Sequence, residues 1–284
     1  WIALRYDLTA PLARYVAQAG QDLVRPFRRY AAGSVWRVEK PGPGRFREFM
    51  QIDADIVGAS GMLADAEIVQ VMTESLEAIG LPRGAYVVRI NNRKVLSGVL
   101  ATLGIDAGSA VAAQVLRTLD KYDKVGLEGV RQLLTTGRKD ESGDFTPGCG
   151  LSADQASQIE AYFACRRESR TETLAALQTA VGEDPTGQQG IEELTEIERY
   201  LSAMKLGEDQ VVFDPTIVRG LAYYTGPVFE ASLTRETVDE TGTRKEFGTV
   251  MSGGRYDDLV QRFTGQAVPA TGCSMGVDRM IAAL

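Results

Sequence analysis

Two hydrophobic periods run through this sequence. From Asp65 to Ile79 apolar residues recur every three or four positions. Ile68, Val69, Met72, Leu76 and Ile79 share one face, which predicts an amphipathic helix that Gly80 can terminate. From Arg47 to Val57 the period drops to two: Met50, Ile52, Ala54 and Ile56 point one way, Gln51, Asp53 and Asp55 the other. Phe27–Val38 reads as a second strand, and the loop Lys40-Pro-Gly-Pro-Gly44 joins the two as a hairpin with a long connection. Before them, Leu4–Gln18 reads as a short extended piece and then a helix from about Ala10, with Leu12, Tyr15 and Val16 facing inward.

Beyond this, Tyr86–Ile90 is a strand, and helical patterns begin at Arg93, Ser109 and Gly126. Thr135–Gly150 is a polar, turn-rich break. A helical acidic stretch from Ser152 to about Val181 follows, then a second break at Gly182–Gly190. A helix from Ile191 to Met204 precedes strands at Val211–Phe213, Val228–Leu233 and Phe247–Ser252, a helix from Tyr256, and a strand running into a helix over Cys273–Leu284. Short sequential strands with clustered helices predict an α+β fold on a mainly antiparallel sheet. The bracketing breaks predict a small helical domain at 133–188, inserted between core parts 1–132 and 189–284.

At 284 residues the chain has room for one large domain or two smaller ones, and 44% hydrophobic with 24% charged residues is ordinary for a globular protein. No apolar run approaches the roughly 18 residues of a membrane span, so no membrane association is expected. The start at Trp1, with neither Met nor a signal-peptide pattern, is expected of a fragment. Cys149, Cys165 and Cys273 are too scattered for a zinc cage or disulfide framework, which fits a reducing cytoplasm. The complete absence of histidine removes Ser-His-Asp and Cys-His catalysis and H-E-x-x-H zinc sites together. Chemistry here must run on arginine, lysine, carboxylates, hydroxyls or a bound ion. The net charge of −7 argues against a general nucleic-acid binder. The charge is uneven, however: seven cations and one anion between Arg25 and Arg47, but thirteen acids and four bases between Asp140 and Tyr200. A basic segment in an acidic protein points to a local anionic ligand or to a solvated charged face.

Several residues carry two readings. The polar face of Arg47–Val57 is either the exposed side of an ordinary strand or a wall that selects a small substrate. Arg279 falls in the first turn of the last helix, whose apolar face is Val277, Met280, Ile281 and Leu284. The helix dipole disfavours a cation there, so it pairs either with Asp278 or with a bound phosphate. Arg219 precedes Gly220, the pair Tyr223–Tyr224 and the turn Thr225-Gly226-Pro227. It is either a loop arginine paired with a carboxylate such as Glu230 or a functional cation. Ser252-Gly253-Gly254-Arg255-Tyr256 is a glycine turn with an equally good packing explanation. The loop around PGPGR has the spacing of neither a P-loop nor a Rossmann motif.

At these residues the chain resembles the histidyl-tRNA synthetase family. Trp36-Arg37-Val38-Glu39, the loop to Arg45 and Phe49-Met50-Gln51 resemble class II motif 2, and Gly276-Val277-Asp278-Arg279 resembles motif 3. RGLAYYTGPVFEA (Arg219–Ala231) and SGGRYDDLV (Ser252–Val260) resemble the two histidine-specific signatures, and LRYDLTAPLARY (Leu4–Tyr15) the segment that receives the amino acid. The resemblance implies a class II synthetase sheet flanked by helices. It also implies an enzyme that activates L-histidine with ATP and Mg2+ and passes it to tRNA(His). Arg37 would contact the α-phosphate, Glu39 and Arg45 would help hold ATP, and Arg279 would take the γ-phosphate. Arg219 would stabilise charge developing at the α-phosphate. Asp7, Thr9 and Gln51 would bind the amino group of histidine, and Asp55 and Tyr224 its ring, with Tyr223 and Tyr256 shaping the pocket.

The chain departs from common forms of the pattern in three places: Asp7 stands where Glu is frequent, Ala222 where an acid is common, and Asp258 in place of a usual Gly. The family's motif 1 helix, a homodimer interface, is expected before Trp1, and its anticodon-binding domain after Leu284. The family would also place the inserted helices near the tRNA acceptor arm, whereas their acidity here is unsuited to RNA. Two non-catalytic relatives compete with the enzyme: the regulatory subunit of ATP phosphoribosyltransferase and a tRNA-sensing domain. Retention of Arg37, Arg219 and Arg279 together favours the enzyme.

Overall fold

The computed structural model describes residues 2–38, 40, 42, 44–140, 143–218, 224–234, 237–238, 244–245 and 247–284. Its centre is a seven-stranded sheet. The hairpin of β1 (Phe27–Trp36) and β2 (Glu48–Val57) forms one edge, and after helices α1 (Thr9–Ala19) and α2 (Leu63–Ala78) the chain enters β3 (Tyr86–Asn92) near the other. Helices α3 (Arg93–Thr102), α4 (Ala110–Leu119) and α5 (Tyr122–Leu134) then lead to a small hairpin, β4 (Gly137–Lys139) and β5 (Phe145–Pro147). Three further helices follow: α6 (Ala153–Phe163), α7 (Arg170–Val181) and α8 (Pro185–Ala203). The chain returns to the sheet through β6 (Val211–Phe213) and β7 (Pro227–Leu233), and makes a two-stranded ladder of β8 (Thr237–Val238) and β9 (Arg244–Lys245). It ends in β10 (Thr249–Arg255), α9 (Gln261–Thr264), β11 (Ala270–Gly276) and α10 (Val277–Ala283). The strand order is β1-β2-β11-β10-β7-β3-β6, and every pairing is antiparallel except β3 with β6.

Directly opposed residues in a ladder share a face, so the register divides the sheet into two chemistries. One row runs Ala54, Cys273, Gly253, Phe229, Ile90 and Phe213. The apolar members of this face meet Ile68, Val69, Met72 and Leu76 of α2, all nearly inaccessible, in one hydrophobic cluster. That cluster also contains Leu134, Ile159, Tyr162, Leu177 and Val181, so the helices between β3 and β6 share the core of the sheet. The opposite face carries Asp53, Ser274, Ser252, Glu230 and Arg89 in an unbroken polar row.

Several expectations change. Gly80 does terminate α2, at φ 95°, but Ile79 has left the helical face and is exposed. Tyr15 is likewise exposed, its ring 6.1 Å from that of Phe27, while Leu12 and Val16 fill a second cluster with Tyr256 and Val260. The acidic helical stretch is two helices, because Ser169 and Glu172 form a capping box that starts α7 afresh. The supposed break at Gly182–Gly190 is mostly helix: Asp184 caps α8 and Pro185 occupies its first turn, where a missing N–H costs nothing. Gly187 and Gly190 are tolerated there for close packing. A Cβ on Gly98 of α3 would lie 2.5 Å from the Cα of Gly187. The helix expected from Tyr256 shrinks to Gln261–Thr264, and Asp257 is engaged by neighbouring segments instead: its N–H donates to Thr225 and its carboxylate accepts from Ala270.

Two buried arginines tie these layers together. Arg170 donates to Glu198 and to the carbonyls of Leu206 and Val211, pinning α7 to α8 and β6. Arg255, 2% exposed, pairs with the fully buried Asp65 of α2 and donates to the carbonyls of Ala59 and Gly61. Removing one partner of such a pair leaves an uncompensated buried charge. Asp65→Ala is expected to lose about 3 kcal/mol of unfolding free energy in urea titration. The double replacement Asp65→Leu, Arg255→Met should lose less than either single change.

Candidate active site

Arg29 of β1 and Asp55 of β2 face each other because they are directly opposed in the register of the hairpin ladder. The polar residues Gln51, Asp53 and Asp55 are all buried, at 7%, 2% and 4% exposure, while Met50 and Ile52 on the other face are 39% and 42% exposed. The alternation therefore holds but burial is inverted, and β2 is not the ordinary half-exposed strand. The helical layer reaches Ile56 and Ala54 and stops short of the outer strand ends. The polar face is instead roofed by the segment before α1 and by the turn after β10.

That roof encloses a cavity of about 100 Å3 lined by Tyr6, Asp7, Thr9, Arg37, Gln51, Asp53, Asp55, Tyr224, Ser252, Tyr256, Ser274 and the backbone near Gly253, Gly272 and Cys273. Seven residues expected at a site (Asp7, Thr9, Arg37, Gln51, Asp55, Tyr224 and Tyr256) thus line one space. Asp7 also caps α1, one of its oxygens accepting the Ala10 N–H at 2.9 Å. Arg37 lies between aromatic faces, its guanidinium carbon 4.6 Å from the Tyr6 ring centre and 5.1 Å from that of Phe49, with Nε toward the Tyr6 carbonyl at 3.4 Å. Among the described residues it has no ion-pair partner.

Asp55, on the cavity wall, has two charged or polar partners. Arg29 reaches its Oδ2 at 3.0 Å, and the Tyr256 hydroxyl donates to Oδ1. Burial lifts its pKa to about 6, against the pull of Arg29 and Tyr256. Gly272 makes the fit possible, since a Cβ there would lie 2.1 Å from Asp55 Oδ1. Asp53 is raised by burial as well, opposed by the Ser274 hydroxyl and by Arg29. The sequence pattern singles out neither Arg29 nor Ser274, and Asp53 only as a member of the polar wall. The symmetry of the hairpin was a usable signal for Arg29, whereas Ser274 faces Asp53 only through the pairing of distant β11 with β2.

The remaining expected residues separate. Arg279 lies in the first turn of α10, and its Nε and Nη1 donate to the carbonyls of Gly44 and Thr249 at 3.1 and 2.8 Å. Arg45 is exposed on the same loop, where it forms a backbone bridge with Gly42. Neither is among the residues lining the cavity. Asp278, offered as the partner of Arg279, accepts the Met50 N–H at 2.6 Å instead, tying α10 to β2. The apolar face expected on α10 is only partly covered: Met280 is buried, Ile281 and Leu284 are exposed. Glu230, offered as the partner of Arg219, accepts from Thr249 and lies 3.9 Å from Arg89. Glu39, Arg219 and Tyr223 lie outside the described residues. The chain entering Arg219 is firmly held up to Val218. Asn91 donates to the carbonyls of Pro215 and Ile217, and Arg166 of the α6–α7 turn reaches Asp214 at 2.9 Å.

The sequence model of the histidyl-tRNA synthetase family matches residues 1–280. The histidine–tRNA ligase of Paracoccus denitrificans (strain Pd 1222) is 59% identical over 284 residues, covering all of this chain and 57% of that protein. That of Caulobacter vibrioides is 53% identical over 285 residues, with the same coverage. Among solved structures, the histidyl-tRNA synthetase from Nostoc sp. PCC 7120 superposes with a TM-score of 0.81 at 32% identity, covering 99% of this chain and 59% of that one. A protein from Bacillus halodurans C, described as an ATP phosphoribosyltransferase regulatory subunit/histidyl-tRNA synthetase, gives 0.76 at 25% identity, covering 99% and 64%. The chain spans a little over half the length of the curated relatives it matches.

Because burial raises the folded-state pKa of Asp55 above its ordinary 3.8, the folded protein binds this proton more tightly than the unfolded chain. Stability therefore falls as pH rises between about 4 and 6. The Tyr256 hydroxyl counters that loss by donating to the anion. Tyr256→Phe is expected to cost about 1–3 kcal/mol at pH 8 and distinctly less at pH 5, where the carboxyl is largely protonated in both proteins. Urea unfolding at the two pH values checks this; an equal cost at both would assign the hydroxyl to packing alone.

Proposed function

The chain belongs to the histidyl-tRNA synthetase family, and we propose that it is the part of a cytoplasmic histidine–tRNA ligase that forms the adenylate and transfers the histidyl group. The observation that supports this most directly is one cavity in which a buried carboxylate, an amide and two phenols stand beside an arginine that has no ion-pair partner among the described residues. Such a set suits a ligand with an imidazole, an ammonium and a carboxylate being activated at phosphorus. A carboxylate oxygen of histidine attacks the α-phosphorus of ATP, the bond to pyrophosphate breaks, and histidyl-adenylate forms. A terminal ribose hydroxyl of tRNA(His) then attacks the histidyl carbonyl, and AMP leaves.

Each role follows from chemistry that the residue can perform. Asp55, held by Arg29 and Tyr256, accepts one ring N–H, and Tyr224 pairs with the other ring nitrogen. An amino acid unable to answer both leaves buried polar groups unpaired and is rejected strongly. Asp7, Thr9 and Gln51 take the ammonium. Arg37 neutralises the α-phosphate, a task suited to a planar cation already fixed between aromatic rings. Arg219 is assigned the charge developing during transfer, Tyr223 the wall of the pocket, and Glu39, Arg45 and Arg279 the remainder of ATP. Mg2+ would neutralise charge on the triphosphate. Among the described residues no three carboxylates or thiols gather as ligands for an ion, so we assign it no protein ligands. No helix among the described residues is long and apolar enough to cross a membrane. In the whole protein we propose a homodimer, with segment 133–188 as an inserted helical domain whose acidity is unsuited to strong RNA contacts.

The test is histidine-dependent exchange of pyrophosphate into ATP, which needs no tRNA. Exchange is expected with L-histidine and not with other amino acids. Its absence from folded, full-length protein would favour the regulatory-subunit reading, which the Bacillus halodurans likeness keeps specific. Arg219→Ala is expected to abolish exchange with little change in melting temperature; a large loss of stability would return Arg219 to a structural role. Tyr224→Phe should raise the KM for histidine more than that for ATP, and equal changes would count against its contact with the ring.

A further inference from the structure

Among the described residues, Gln51 Oε1 in the cavity is buried without a hydrogen-bond partner, for a reason that can be traced. Ser274 Oγ lies 2.6 Å from Asp53 Oδ1 and 2.7 Å from Gln51 Nε2. A serine hydroxyl has a single proton to give, and an ionised carboxylate can only accept. Ser274 therefore donates to Asp53 and must accept from the Gln51 amide N–H. This fixes the amide orientation and turns Oε1 away from Ser274, where it is buried without a hydrogen-bond partner among the described residues. A buried carbonyl oxygen left in that state costs free energy that a bound donor would recover.

We propose that Asp53 and Ser274 are positioning residues that hold the Gln51 amide with its oxygen presented to the cavity, so that the site takes an ammonium-bearing ligand and discriminates against the same molecule without its amino group. The inference rests on the histidine reading of the cavity and goes beyond it, since neither residue needs to touch the ligand. Its direction depends on an acceptor for the serine proton at position 53. Asp53→Ala removes that acceptor. The serine proton then turns to Gln51 Oε1, and the amide NH2 faces the cavity and opposes an ammonium.

The experiment is calorimetric titration of the full chain at pH 8 with L-histidine and with imidazole-4-propionate, which lacks only the α-amino group. Asp53→Ala is expected to weaken L-histidine by about 10- to 100-fold, the worth of a hydrogen bond to a charged group, and the desamino analogue by less than about threefold. Ser274→Ala should change the ratio of the two affinities in the same direction, and Ser274→Thr, which keeps the hydroxyl, should preserve it. If the replacements weaken both ligands equally, or neither, the relay is overturned. Failure of the unaltered protein to bind L-histidine would instead overturn the reading of the site itself.

Discussion

Asp55 sits on a strand in the middle of a protein, and a carboxylate there can stay charged only if other groups replace the water it has lost. Arg29 and Tyr256 are those groups. Neither is placed independently. Arg29 arrives through the register of the β1–β2 hairpin, and Tyr256 follows directly on Arg255, whose guanidinium is locked to Asp65 at the start of α2. The Tyr256 N–H and the Thr225 N–H are bonded to the carbonyls of Ala270 and Arg255, so the turn roofing the cavity is tied to both neighbouring strands. One desolvated anion at the cavity is thus supported by a second buried ion pair at the rear of the sheet.

The same logic divides the two faces of the sheet. The helical side is closed by α2, α3 and α8 over an apolar row, and glycines at 98, 187 and 190 let two of those helices touch. The other side keeps a polar row from Asp53 to Arg89, in which neighbouring side chains bond one another, while Gln51 Oε1 beside it is left without a hydrogen-bond partner among the described residues. A face made of apolar residues could have supplied more stability through burial. It could not have provided fixed donors and acceptors at a ligand, and function here lives in that choice.

Much of the architecture was legible along the chain because its signals are local. The period of Ile68, Val69, Met72 and Leu76 marks α2, the alternation through Gln51, Asp53 and Asp55 marks β2, and the signature around Tyr224 and Tyr256 names the family. The misreadings were also local in origin. A capping box at Ser169 and an Asp-Pro start at position 184 were passed over, because glycine and proline read as a break when their packing partners are unseen. Tyr15, Ile79 and Ile281 fit apolar faces by spacing, yet each is largely exposed in the folded chain.

By itself, then, the sequence determined the type of the strongly periodic elements, the strand faces and the chemical inventory: no histidine, paired carboxylates, and arginines in a basic hairpin. Tertiary structure alone decided which polar face was buried, that Ser274 stands opposite Asp53, and that Arg255 closes on Asp65 while Asp278 closes on Met50. The physical reason is one of range. Periodicity and capping follow from contacts between residues three or four apart, whereas desolvation and hydrogen-bond direction depend on strands brought together from opposite ends of the chain.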